Sequence, residues 1–387
     1  MGSRSGLVDI KGGALVLDLG GGSVQMTWVD TNDERYGINA ALSGESLPYG
    51  AAKLTQILDG QPEEARILQT AEIANGFRDL YAKLCAKFPT LQAIKTQYEK
   101  GCDSPVKLYL CGGGFRGYGS MLMHEDPIVP YPIPSINTYT VHGDRFKDVN
   151  FLRRKNEEIN GKIYGMSKRR RKQFESVAAV VKALVSAVPN VGQVTFCSGS
   201  NREGLLMMKL PREIRETNPV DALTNLSHDE QPIVEAIVRK MISALPKALE
   251  GSKIPTVLNT GIASLFVRQI WTGRGYDGDA NSSLALHSAV SRDPNASGLT
   301  HIARAALGLT LFSRWGGSLS PADTQLFNGL KQLLNREHPE AFFWSRYLGA
   351  VASLLASLFP TFPTDSTRLE TALRYVQAFY HWNSTVI

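Results

Sequence analysis

Apolar residues fill Leu15-Val16-Leu17, and after Asp18 and three glycines they alternate with polar ones at Val24, Met26 and Trp28. A buried run, a glycine turn and an alternating run predict a β-hairpin. Helical spacing follows over Ala51 to Leu58 and over Pro62 to Phe88, where Ala65, Leu68, Ile73, Phe77, Leu80 and Leu84 repeat on one face. Val106 to Cys111 reads as a buried strand. Gly112-Gly113-Gly114 ends it, and a helix is predicted through Met123 with Phe115 and Arg116 in its first turn. Four prolines between Pro127 and Pro134 predict a rigid extended connection. Ile136 to His142 alternates as a strand, Phe146 to Lys155 reads as a short helix and Phe174 to Val188 as an amphipathic one. Val194 to Cys197 is the last predicted strand, and a small-residue turn leads from it into a helix over Arg202 to Leu210.

The pattern changes after Pro211 to Pro219, a polar stretch with proline at both ends. From there Ile233–Leu249, Ile262–Thr272, Thr300–Trp315, Ala322–Leu334, Glu340–Phe359 and Asp365–Trp382 all carry helical spacing. Four of the five tryptophans (Trp271, Trp315, Trp344, Trp382) fall among them. The expected organisation is an α/β domain over residues 1–215 and an all-α domain over 220–387.

Composition narrows the class. With 43% apolar and 20% charged residues the chain resembles globular proteins, not disordered ones. No run of 18 apolar residues occurs, so no membrane partner is expected. The net charge of +6 is local: without Lys168-Arg169-Arg170-Arg171-Lys172, 37 basic residues face 36 acidic ones. A chain otherwise balanced is not a general nucleic-acid binder, and no specific nucleic-acid partner is expected. The run reads as a nuclear import signal, an anion contact or a solvated helix start. Cys85, Cys102, Cys111 and Cys197 lack Cys-x-x-Cys spacing, which fits a reducing cytoplasmic setting, with nuclear entry through the basic run as the variant. Cys111 and Cys197 read as small buried hydrophobes.

The chemistry gathers at glycine turns. A hairpin tip of Gly20, Gly21 and Gly22 lets a phosphate approach backbone N–H groups, and Ser23 adds a hydroxyl donor. Asp18, at the end of the preceding strand, is placed to hold Mg²⁺ beside that phosphate. Gly112, Gly113 and Gly114 open the next helix and offer its positive end to an anion, with Arg116 close by. Arg202 and Glu203 follow a strand end, where open α/β sheets place ligands, and read equally as a capping pair. In the C-terminal half, Ser227-His228-Asp229-Glu230 reads as a helix capping box, and His287 and His301 are metal candidates by residue type alone.

Four ordered segments carry a resemblance: Leu15 to Met26, Ser46 to Leu54, Leu108 to Arg116 and Val194 to Leu206. Together they resemble the exopolyphosphatase/guanosine-pentaphosphate phosphatase (Ppx/GppA) family, part of the sugar kinase, heat-shock and actin superfamily. The resemblance implies an actin-like, RNase H-like lobe, the second of the family's two, binding phosphate, polyphosphate, ATP or another nucleotide. It implies Asp18 and Gln25 at the reacting end, and Gly20 to Ser23, Gly112 to Gly114, Arg116, Arg202 and Glu203 around the ligand. Two departures stand out. Only 17 residues precede Asp18, against about 100 for a lobe, so the first lobe and its catalytic Glu are expected to be missing from this chain. Gln25 stands where hydrolytic members carry Glu, and an amide cannot accept a proton as a carboxylate does.

Three readings follow from the resemblance. In the first, the chain is a regulator similar to fungal members that signal mitochondrial state to the nucleus, binding a nucleotide or polyphosphate and a protein partner. In the second, a longer form hydrolyses phosphoric anhydrides, with Gln25 orienting the water. In the third, the chain is an inactive truncated product.

Overall fold

The computed structural model describes residues 12–199, 201–245, 255–273, 275–291, 298–337 and 339–371. Its contacts divide the chain into one unit of Met1–Pro127 with Pro134–Arg215 and another of Ile128–Ile133 with Glu216–Ile387.

In the first unit the opening alternation becomes β1 (Gly13–Leu19) and β2 (Val24–Asp30), antiparallel, with Asp18 opposite Gln25 and Leu19 opposite Val24. β3 (Glu45–Leu47), β4 (Val106–Cys111), β5 (Thr140–His142) and β6 (Val191–Phe196) complete a six-stranded sheet of order β3-β2-β1-β4-β6-β5. β1, β4 and β6 are mutually parallel, so three carboxyl ends lie side by side. Register puts Leu15, Leu17, Leu19, Leu108, Leu110, Val194 and Phe196 on one face, where each is 0–1% exposed. Side chains of this size stabilise by about 1.5–3 kcal/mol each when fully buried. The opposite face carries Val16, Asp18, Tyr109, Cys111 and Thr195, with Gln25 and Thr27 from β2.

Helices α1 (Tyr36–Ser43), α2 (Ala51–Leu58), α3 (Glu63–Lys87) and α4 (Pro89–Glu99) separate the hairpin from β4, and α5 (Gly112–His124) follows it. Because α5 begins at Gly112 itself, Phe115 and Arg116 are its fourth and fifth residues, at the close of its first turn. The predicted strand Ile136–His142 shortens to β5. Thr138 adopts φ 63° and donates its N–H to the Phe196 carbonyl at 2.7 Å, and Asn137 Oδ1 accepts from Ser198 N–H at 3.1 Å. Those bonds pull residues 136–139 out of the ladder.

The single helix expected over Phe146–Lys155 is α6 (Gly143–Lys147) and α7 (Val149–Glu158). Asp148 divides them by accepting from Phe151 N–H at 3.1 Å as an N-cap. At the end of α5, the Arg145 guanidinium donates to the carbonyls of Leu122 and Glu125 at 3.1 and 2.9 Å and to the buried Asp126 carboxylate at 3.1 Å. Tyr139 donates its hydroxyl to the same carboxylate at 2.8 Å. α8 (Lys168–Lys172), α9 (Phe174–Ala187), α10 (Asn201–Lys209) and α11 (Arg212–Glu216) complete the series.

The second unit is helical: α12 (Pro219–Thr224), α13 (Glu230–Ser243), α14 (Thr256–Asn259), α15 (Ala263–Gln269), α16 (Gly278–Ser291), α17 (His301–Trp315), α18 (Pro321–Glu337) and α19 (Ala341–Leu358). α17 is the core helix, buried from Ala303 to Leu311 between α16, α18 and α19. Buried Arg304 donates to the carbonyls of Leu299 and Ala289 at 3.1 and 3.0 Å, tying α17 to the end of α16. No helical spacing marks α16, whose Gly278, Asn281, Ser282 and Ser283 are weak helix formers. It is held by packing a small-residue face, Ser282, Ala285 and Ala289, onto α17.

Ser227 and Glu230 form the expected capping box: Ser227 N–H donates to Glu230 Oε2 at 3.0 Å, and Glu230 N–H donates to Ser227 Oγ at 3.3 Å. The proline-rich Ile128–Ile133 belongs to this unit, where Tyr131 Oη lies 2.7 Å from His301 Nδ1. α19 is long and apolar enough to cross a membrane by length and composition, yet half of it is buried inside its own unit. The helix expected over Ile233–Leu249 ends at Ser243, and residues 246–249 lie outside the described residues. In the stretch expected over Asp365–Trp382, residues 366–371 are helical, and the remainder, Trp382 included, lies outside them.

Candidate phosphate site

The turn between β1 and β2 is held from behind by a helix. Ala51 N–H donates to the Gly20 carbonyl at 2.9 Å, and the N–H groups of Ala52 and Lys53 donate to the Gly21 carbonyl at 3.0 and 2.9 Å. These donors are the otherwise unsatisfied N–H groups at the start of α2. A trans peptide points its N–H opposite its carbonyl. With the carbonyls of Gly20 and Gly21 turned onto α2, the N–H groups of Gly21 and Gly22 point away from it, on the exposed side of the loop. Gly20 N–H closes the turn on the Ser23 carbonyl at 3.0 Å. Two backbone donors beside one serine hydroxyl make an anion concavity.

Gly50 makes the buttress fit. A Cβ there would lie 2.2 Å from Ser23 N and 2.3 Å from the Gly22 carbonyl carbon. In the sequence Gly50 precedes a helical run and lies in the Ser46 to Leu54 segment of the resemblance, with no role attached to it. Its importance comes from a contact across 27 residues.

Asp18 is half-buried at the end of β1. Burial raises its carboxyl above the usual value, and the Arg116 charge works against that rise. Gly112 packs directly on it: φ is +89°, and a Cβ would lie 2.3 Å from Asp18 Oδ1 and 2.4 Å from the Leu19 carbonyl oxygen. Glycine alone meets both the backbone angle and the contact. The folded state therefore holds the Asp18 proton more tightly than the unfolded chain, and stability declines as pH rises from the ordinary carboxyl value to the raised one. Asp18→Asn is expected to raise the melting temperature at pH 7 and to leave it unchanged near pH 3. Thermal unfolding at the two pH values checks this.

Gln25 faces Asp18 across the hairpin. Its amide nitrogen donates to Ser23 Oγ at 2.6 Å and to Ser46 Oγ at 3.3 Å. The side chain is thus a donor toward two hydroxyls, and it carries no basic atom for water.

The second glycine turn leads to Arg116, half-buried on α5, whose buried Nε makes no hydrogen bond among the described residues. Beside it lies Arg170, a residue that pattern reading left inside a charge run. Its stem packs at Gly117 of α5, and its Nη1 donates to the Gly165 carbonyl at 2.7 Å. Burial, then the Arg116 and Arg169 charges, lower the Arg170 guanidinium from its usual value. A guanidinium disfavoured by burial and by neighbouring cations is poised for an anion. Arg171 donates to the carbonyls of Asn156, Ile159 and Gly161. The run is therefore a folded turn capped by Ser167, in which Lys168, Arg169 and Lys172 are exposed.

Arg202 and Glu203 stand exposed in the first turn of α10, beyond the carboxyl end of β6. Ser200 lies outside the described residues. No group of three or more His, Cys, Asp or Glu gathers among the described residues. His287 instead meets Asp323 at 2.7 Å.

A sequence model of the Ppx/GppA phosphatase family matches residues 1–213, and one of the RTG2 C-terminal domain matches residues 218–381. Retrograde regulation protein 2 of Saccharomyces cerevisiae is 28% identical over 358 residues, covering 89% of this chain. The chain spans 58% of that relative's length. Among solved structures, the type II variant of the Aquifex aeolicus Ppx/GppA phosphatase is 16% identical, covering 52% of this chain and 58% of its own, with a TM-score of 0.35. An exopolyphosphatase from Cytophaga hutchinsonii is 20% identical, covering 53% and 59%, with a TM-score of 0.36.

Proposed function

The chain belongs to the Ppx/GppA phosphatase family, and from that premise we propose that it is a regulatory member that binds a phosphoric anhydride without consuming it. The ligand is a nucleotide or a polyphosphate-type anion, held by the N–H groups of Gly21 and Gly22 and by Ser23. Arg116 and Arg170 offset the charge of its further phosphates, and Arg202 lies at the same sheet edge. The helical unit presents the result to a protein partner, in signalling from mitochondrion to nucleus; the yeast relative's name, a retrograde regulation protein, supports the regulatory part of this reading. We place the protein in the cytoplasm, with Lys168, Arg169 and Lys172 exposed for nuclear import.

The observation that carries this reading is Gln25, an amide that donates to Ser23 and Ser46 where hydrolytic members carry a carboxylate. Mg²⁺ fits the residues present, since it takes one or two carboxylates and fills its remaining positions with ligand phosphates and water. Asp18 would hold it, and the ion would supply neutralising charge between that carboxylate and the anion.

Calorimetry with inorganic tripolyphosphate and Mg²⁺, beside a phosphate-release assay, tests the reading. Binding without release is expected. Gln25→Glu adds a negative charge beside the anion and should weaken binding about tenfold, or about 1.4 kcal/mol. Release by the unaltered protein at about one per second or faster, an ordinary enzyme rate, would sink the proposal.

A further inference from the structure

The site described above uses neither Cys111 nor Cys197. β4 and β6 run parallel with Leu110 level with Phe196, so the next residues, Cys111 and Cys197, stand level at the carboxyl edge. Cys197 N–H donates to the Leu110 carbonyl at 2.8 Å and holds that register past the strand end. Neighbouring strands lie about 4.7–4.9 Å apart, inside the roughly 4.4–6.8 Å between Cα atoms that a disulfide spans. The two buried side chains pack together with Ala14 and Tyr109, on the face that also carries Asp18 and Gln25. Neither sulfur is in a disulfide.

Their surroundings differ. Cys111 is the N-cap residue of α5 and leads into the Gly112 turn. Cys197 Sγ donates to the Thr195 carbonyl at 3.8 Å, and the neighbouring Cys111, then burial, raise its thiol well above the usual value. Cys111 at the head of α5 is placed as the sulfur oxidised first, and Cys197, level with it on β6, as the one that closes the bridge.

The geometry points to a dithiol–disulfide couple at the ligand edge of the sheet, in which a peroxide oxidises Cys111 and Cys197 closes the bridge. The Cys111 thiolate attacks one oxygen of hydrogen peroxide. The O–O bond breaks, two electrons leave sulfur, and the products are a sulfenic acid and hydroxide, which takes up the Cys111 proton as water. The Cys197 sulfur then attacks the sulfenic sulfur. The S–O bond breaks, and a second water leaves with the Cys197 proton. In sum, two thiols and one peroxide give one disulfide and two waters. Closing it pulls on Gly112 and Ser198, which directly follow the two cysteines.

The test uses the full chain carrying Cys102→Ser, to remove the exposed thiol, and peptide mapping after brief treatment with hydrogen peroxide. A Cys111–Cys197 linked peptide that dithiothreitol reverses is expected. In Cys197→Ser, Cys111 should be trapped as its sulfenic acid by dimedone; in Cys111→Ser, Cys197 should take no dimedone. Alanine replaces serine where a serine variant does not fold. No link in native protein, or a link that forms only in urea, overturns the couple, as does dimedone capture at Cys197 alone. The effect on anion binding rests on the proposed function: oxidation should weaken tripolyphosphate binding about tenfold, restored by dithiothreitol. A reversible link in a protein that binds no tripolyphosphate in either state upholds the couple and removes the anion reading.

Discussion

Gly50→Ala is expected to abolish tripolyphosphate binding measurable by calorimetry at concentrations that saturate the unaltered protein. The added methyl would lie 2.2 Å from Ser23 N and 2.4 Å from the Gly21 carbonyl carbon. Those are backbone atoms, so no side chain can rotate aside. Either α2 withdraws and loses its three bonds to the carbonyls of Gly20 and Gly21, or the loop moves and its outward N–H groups turn. Both routes remove the preorganisation of two donors. Hydrogen bonds to a charged group contribute about 1.5 kcal/mol or more each, so losing two costs about 3 kcal/mol, or roughly 100-fold in affinity. Overpacking of this kind also destabilises by about 1–3 kcal/mol. Gly22→Ala is the control, because a Cβ at Gly22 meets nothing within 4 Å. It should fold as the unaltered protein does and lose affinity only through crowding of the anion. Equal binding by Gly50→Ala and the unaltered protein would mean that the loop does not hold the anion.

That contrast marks what the sequence could and could not disclose. Local alternation gave the hairpin, because a period of two over Val24, Met26 and Trp28 survives into β2. The same holds for β4, whose apolar run and glycine stop define both ends. Gly50 and Arg170 were illegible because their roles are long-range contacts, one under a loop 27 residues earlier and one at Gly117 on another helix. A charge run looks solvated whether or not it packs, and only packing separates Arg170 and Arg171 from their exposed neighbours. Thr138 and Asp148 broke predicted elements for the opposite reason. Each is held by a specific bond, a Thr138 N–H to Phe196 and an Asp148 cap on Phe151, that outweighs local preference. α16 formed against its propensity because small residues fit closely against α17. The helical half was therefore legible as a class and less so helix by helix.

Arg145→Met should cost the first unit more stability than any surface substitution. Asp126 is fully buried, and its carboxylate is held by the Arg145 guanidinium and the Tyr139 hydroxyl. Removing the arginine takes away the cation that compensates a buried carboxylate. Breaking a buried ion pair from one side costs about 3–5 kcal/mol. Arg145 is 30% exposed, so water can reach part of the vacated space, and the lower end is expected. About 3 kcal/mol corresponds to roughly 6–12 °C in the melting temperature of a domain this size. Asp126→Asn added to Arg145→Met removes the stranded charge and should recover more than half of the loss, since the cost lies mainly in the uncompensated carboxylate. Additive losses in the double variant would show that the two side chains do not act as a pair. The consequence reaches the site through one rigid element. α5 starts at Gly112, against Asp18, and carries Arg116; the guanidinium of Arg145 holds the carbonyls of Leu122 in its last turn and of Glu125, its C-cap residue. With that end frayed, Arg116 loses its fixed position relative to Asp18. Tripolyphosphate affinity should therefore fall in Arg145→Met even at temperatures where the variant is fully folded, and recover with the melting temperature in the double variant.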